Sequence, residues 1–193
     1  MRVFRSLSLA LATTAALAGA AAPAHASTAF HVDSAGYTCQ FPDGSPQTAT
    51  LTAGFTGPDT VAPGAAFGLS DVSGSVTLSP AASAWLTGRG IDGLLGGRVA
   101  VFVEAVNGPR STDNPPAATN KPATWGPGPV VVEFAGGRSS HTAGASGTIT
   151  FTPGQLILLL SLHRPDGTPT FYSVICRPPA GQDAAFTPAL PIT

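Results

Sequence analysis

Short runs that alternate apolar and polar residues recur along the chain between glycines and prolines, and they read as β-strands. Residues 37–41 alternate around Cys39. Residues 48–55 (TATLTAGF) place Ala49, Leu51, Ala53 and Phe55 on one face and threonines on the other. Residues 66–72 and 73–78 read as two further strands with a turn-prone stretch between them. In residues 98–106 (RVAVFVEAV), Val99, Val101, Val103 and Ala105 share one face, while Ala100 and Phe102 make the other face apolar as well. Residues 130–134, 147–151, 155–163 and 170–176 complete the set. The last two flank RPDGT, where Asp166-Gly167 suits the left-handed backbone of a tight hairpin turn. One short helix is predicted over SPAASAWLTG, with Ser79 as N-cap, Pro80 in the first helical position, Gly88 as the stop, and Trp85 and Leu86 facing inward. Many short strands with one helix predict an all-β sandwich or barrel.

Residues 107–129 break this pattern. Their prolines cannot donate to a ladder, so the segment is expected as an exposed loop or a run along a sheet edge. It reads either as a crossover between two halves of a sandwich or as a binding loop presenting Trp125 and the chain's single lysine, Lys121. The strand over residues 155–163 is expected at a sheet edge, where it would favour self-pairing if uncovered. The oligomeric state stays open.

The first 26 residues read as an export signal. Arg2 and Arg5 form a basic head, a Leu/Ala-rich apolar stretch follows, and Ala24-His25-Ala26 supplies a small-residue cleavage site. A single domain over residues 27–193 is expected to remain, released from the membrane, with seven basic residues against ten acidic ones. Its net charge is about −3 and it has no basic cluster, which disfavours nucleic acid as a partner. Charged residues make up only 10 % of the chain, but 43 % is hydrophobic, so a core is available despite 23 Gly and 19 Pro. Both cysteines, Cys39 and Cys176, lie inside predicted strands, and no third thiol competes. In an exported chain this predicts one disulfide between the first and last parts of the domain.

The stretch DSAGYTC, residues 33–39, resembles the D-x-A-x-Y-x-C signature of immunoglobulin domains, whose Tyr forms a corner near the second cysteine. Here it precedes the first cysteine, and Trp85 is far downstream. A broader resemblance rests on YTCQFP (37–42), the Thr-rich strand to Phe55, PDTVAPG (58–64) and VICRPPAGQ (174–182). Together these are similar to an uncharacterised, Ig-like domain of secreted actinobacterial proteins. That resemblance implies an exported Ig-like β-sandwich and offers no site residue, because the family has no established activity. The Pro-rich middle segment departs from it.

No catalytic motif stands out. GASG at residues 144–147 lacks the spacing of a Ser nucleophile elbow. His31, His141 and His163 are isolated and show no metal-ligand spacing. A hydrolase would need His141 or His163 brought together with a carboxylate and a hydroxyl. Glu104 and Glu133, the only glutamates, would need to lie about 5 to 9 Å apart to cleave a glycoside. Asp43, Asp59, Asp92 and Asp166 read as turn formers. No cofactor or metal is implied. The closing LPIT lacks the glycine, apolar tail and basic residues of a wall-sorting signal. The expected function is a secreted, non-enzymatic binding or structural module for an extracellular protein or polysaccharide. The alternatives are a carbohydrate- or cell-wall-binding module using Trp125, and a secreted hydrolase or inhibitor.

Overall fold

The computed structural model describes residues 26–107, 117–119, 123–126 and 128–193. The proposed export signal up to residue 25, Lys121 and most of the Pro-rich segment lie outside the described residues.

Among the described residues, eleven strands and one helix follow one another as β1 (Ser27–Gln40), β2 (Pro46–Pro58), β3 (Ala66–Leu78), α1 (Pro80–Thr87), β4 (Gly93–Val106), β5 (Ala117–Thr119), β6 (Ala123–Thr124), β7 (Val131–Ala135), β8 (Arg138–Thr142), β9 (Gly147–His163), β10 (Thr170–Arg177) and β11 (Phe186–Ile192). The fold is all-β, as the alternation predicts. The ladder runs in one circuit: β2 beside β1, β1 beside β10 and β11, both of these beside β9, then β4, β5, β7, β3 and back to β2. All of these strand pairs are antiparallel. The result is a sandwich-like sheet whose edges are joined, with β6 attached to β4 and β8 to β3.

Closure depends on strands longer than those the sequence marks. Residues 66–78 form a single strand, bent at Asp71, whose φ of 55° is tolerated because a short polar side chain can occupy the left-handed region. The half before the bend pairs with β8 and the half after it with β7. Residues 147–163 likewise form one strand, which carries Pro153 at a register shift opposite Val101 and Val103. β9 is therefore no edge. It lies between β4 on one side and β10 with β11 on the other, so its backbone is used within the chain. The Pro-rich segment contributes β5 and β6, whose residues carry no proline and so can enter the ladder. β5 bridges β4 and β7 and completes the circuit there.

The interior is filled by the inward faces of the long strands. Phe30, Phe55, Phe151 and Phe186 form an aromatic centre with ring centroids 4.7 to 5.4 Å apart, within the range for favourable offset and edge contacts. Cys39 and Cys176 face each other directly across β1 and β10 and are joined, as expected, by a disulfide spanning 137 residues. The bridge is fully buried. Tyr37 donates its hydroxyl to the Gly154 carbonyl at 2.8 Å, clamping β1 to the bulge of β9 across the core. Desolvation, with the Glu104 charge adding to it, raises the Tyr37 pKa. This long-range bond differs from the local corner that the DSAGYTC resemblance suggests.

Helix α1 forms as read. The Ser79 hydroxyl accepts from the Ala82 N–H at 3.2 Å, Pro80 opens the first turn and Gly88 closes the last. Ala82 and Leu86 are buried, whereas Trp85 is half-buried. The buried Ser83 hydroxyl accepts from the Val130 N–H at 2.9 Å and ties the helix to the approach of β7.

Candidate interaction surface

Two partial catalytic arrangements exist, and the fold keeps them apart. On β8, Ser139 Oγ and His141 Nε2 lie 2.9 Å apart, a spacing suited to a nucleophile and its base. Both residues are buried, and His141 stacks on Phe67 and contacts Phe151. Its Nδ1 is buried without a partner among the described residues, so no carboxylate orients the ring. At the far end of β9, His163 Nδ1 meets Asp92 Oδ1 at 2.5 Å. That pair has an acid and a base, but no hydroxyl bonds the ring among the described residues, and both side chains are partly exposed. His163 lies twelve residues beyond Phe151 along β9, roughly 40 Å of extended strand. Asp92 is therefore more than a turn former, yet neither arrangement is a complete triad.

The glutamates are also separated. The ladder aligns Ala135 with Ala118 and Ala118 with Arg98, which places Glu133 near the Arg98 end of β4. Glu104 lies six residues beyond Arg98 in the other direction, roughly 20 Å away and outside the range for paired glycosidase carboxylates. Among the described residues no group of three or more His, Cys, Asp or Glu side chains could hold a metal ion. No helix of the described residues is long and apolar enough to cross a membrane.

Burial of His141 has a measurable consequence. Desolvation lowers its pKa below 6.5, because the surrounding Phe rings do not stabilise an imidazolium. The unfolded chain then binds a proton at a higher pH than the folded one. Stability is expected to be full above pH 6.5 and to fall as the pH drops toward the folded value. Urea unfolding between pH 7 and about pH 5 measures the slope, and His141→Phe, which keeps the aromatic packing, should flatten it. An unchanged slope assigns the pH dependence to other groups.

Trp125, the aromatic candidate, and Trp85 are both largely committed to internal contacts. Trp125, expected in an exposed context, is half-buried against the core; its Nε1 is buried and has no partner among the described residues. Trp85 donates its indole N–H to Asp43 at 2.7 Å, while Arg89 covers one ring face at 3.5 Å and bonds the same carboxylate at 2.7 Å. Phe41 and Tyr172 meet its edges. Ser45 donates its hydroxyl and backbone N–H to the other Asp43 oxygen; together with Trp85 and Arg89 it holds the carboxyl at a pKa of about 2.

What remains open is the outer face of β4, β9 and β10. The inward residues Val99, Val101, Leu156, Leu158 and Leu160 are buried, so the alternate residues point outward. On that face Ala100, Phe102 and Ile157 are half-buried, Ile175 is 37 % exposed, Leu159 46 % and Phe171 72 %. Arg98 and Arg177 stand among them, and neither forms an ion pair with a described residue. A trough of about 420 Å³ runs past Gly97, Arg98, Leu159, Ser161, Phe171 and Ser173. Strands that are apolar on both faces are characteristic of two-sided burial, and here the described residues cover one side. The apolar outer positions of 98–106 were legible in the sequence. Phe171 was missed, because a lone aromatic at a strand end carries no periodic signal.

No curated protein and no solved structure matches the chain. A family model does match, and it spans residues 36–187, from just before Cys39 to beyond Cys176, so both halves of the disulfide and the whole open face lie within it. The chain belongs to a family of unknown function (DUF6801).

Proposed function

We propose that the protein is a secreted, non-enzymatic binding module that works through the outer face of β4, β9 and β10. The observation that carries this reading is the set of outward apolar residues Ala100, Phe102, Ile157, Leu159, Ile175 and Phe171 on neighbouring strands, with Phe171 left 72 % exposed. An apolar surface facing water without a partner is unfavourable by about 25 cal/mol per Å², and sheet faces of this kind mark interaction sites. The buried disulfide supports an oxidising, extracellular setting. Separation of the Ser139–His141 pair from the Asp92–His163 pair supports binding over hydrolysis.

Co-sedimentation of the purified protein with cell envelopes tests the proposal. Wild type is expected to be retained, and Phe171→Glu combined with Leu159→Glu to reduce retention at least about tenfold without loss of fold. Retention of the double variant at the wild-type level, or a wild type that neither is retained nor self-associates, overturns it.

A further inference from the structure

We infer that the occupant of this face is a second copy of the chain, related by a two-fold axis that runs along β9. The inference rests on the reading of the face as a contact surface and adds the identity of the partner.

The register of the three strands carries the argument. Ser161 of β9 is flanked by Gly96 on β4 and Phe171 on β10; Leu159 is flanked by Arg98 and Ser173; Ile157 is flanked by Ala100 and Ile175. In the first and third rows the β4 residue is small and the β10 residue is large. An axis along β9 exchanges the β4 and β10 columns between facing copies. Phe171 of each copy then lies over Gly96 of the other, where the exposed bulge residue Leu95 adds apolar surface beside it, and Ile175 over Ala100, so each large side chain meets a small one. A methyl group placed at Gly96 would have no neighbour within 4 Å apart from residues 95 and 97, which flank it in the chain. Leu159 and Ile157, on the axis, meet their own counterparts. Self-complementarity of this kind is what an isologous interface requires.

Charge agrees with shape. Arg98 is the single charged residue of the three rows, and the same operation sets it over Ser173 rather than over its own copy. Its guanidinium can donate to the Ser173 hydroxyl, and no like charges face each other. Any other axis direction that stacks these rows loses the match of Phe171 with Gly96. The contact is face to face, so it does not need the strand edges that the closed ladder has already used.

The chain has no free cysteine, so introduced thiols report the geometry directly. Leu159→Cys lies on the axis and is expected to be joined to its counterpart by a thiol-specific bismaleimide linker of about 8 Å, because sheets stacked face to face sit about 10 Å apart, beyond direct disulfide reach. Ile175→Cys, one strand away from the axis, is expected to stay monomeric on a denaturing gel. Sedimentation equilibrium of the wild-type chain without envelopes is expected to show dimers at about 100 µM, and Phe171→Glu to weaken the association about 100-fold. Cross-linking of Ile175→Cys as readily as Leu159→Cys overturns the axis. A monomeric wild type with envelope retention that still depends on Phe171 overturns the second copy as occupant but leaves the contact surface standing. If retention is indifferent to Phe171 as well, both readings fall.

Discussion

Replacing Cys39 and Cys176 together with alanine is expected to lower stability by about 3–5 kcal/mol, the largest effect of any change outside the interaction surface. The bridge closes a separation of 137 residues, and chain entropy makes such a long tie worth more than a short one. Its position adds to this. β1 and β10 pair only over residues 38–40 and 175–177, so the covalent bond holds a short ladder at the place where the circuit passes from β1 to β9. For a chain of this length the loss corresponds to a fall in melting temperature of order 10 °C. Calorimetry of the double variant checks the value, and a fall of less than about 3 °C would show that the core holds this junction without the bond. Because both sulfurs are fully buried, reductant alone should leave the bridge intact until denaturant opens the fold.

Gly74→Ala is the second. A methyl group here would overlap the Thr52 carbonyl oxygen and lie 2.8 Å from Ala53 Cα and 2.9 Å from the Phe134 ring. Two of these three neighbours are backbone atoms of β2, so no rotamer change relieves the clash. The strands must separate, at a cost of about 3 kcal/mol. Gly68→Ala is the matched control on the same strand, since its nearest neighbour would be the Ser139 carbonyl oxygen at an ordinary 3.7 Å. That variant is expected to be neutral or slightly stabilising, because it reduces the freedom of the unfolded chain. Urea midpoints of the two variants measure the contrast, and equal midpoints would contradict the close packing of β3 on β2.

Much of the architecture could be read locally. Strand alternation marks most of the core, including Leu51, Val76, Val101 and Val174. Ser79, Pro80 and Gly88 bound the helix where their capping chemistry places them. Asp166-Gly167 turns β9 into β10. Other elements left little trace. β8 and β11 are polar or proline-bearing segments that pair because their neighbours offer free backbone groups, whereas the first half of β1 carries only a short alternation, burying Phe30 and Val32 through its pairing with β2. The interaction surface was half legible: the two-sided apolar run of β4 announced it, but Phe171 joins it only through its register opposite Ser161.

By itself, the sequence determined the fold class, the helix, the disulfide partners and the apolar character of both faces of β4, because each depends on the spacing of neighbouring residues or on there being only two thiols. Tertiary structure alone decided that the ladder closes, that β9 lies inside it, that the Ser–His and Asp–His pairs never meet, and that Phe171 shares a row with Gly96. Those outcomes depend on which strand pairs with which and in what register. A one-residue slip would turn every side chain to the opposite face, and register over such sequence distances is settled only by burying the whole core at once.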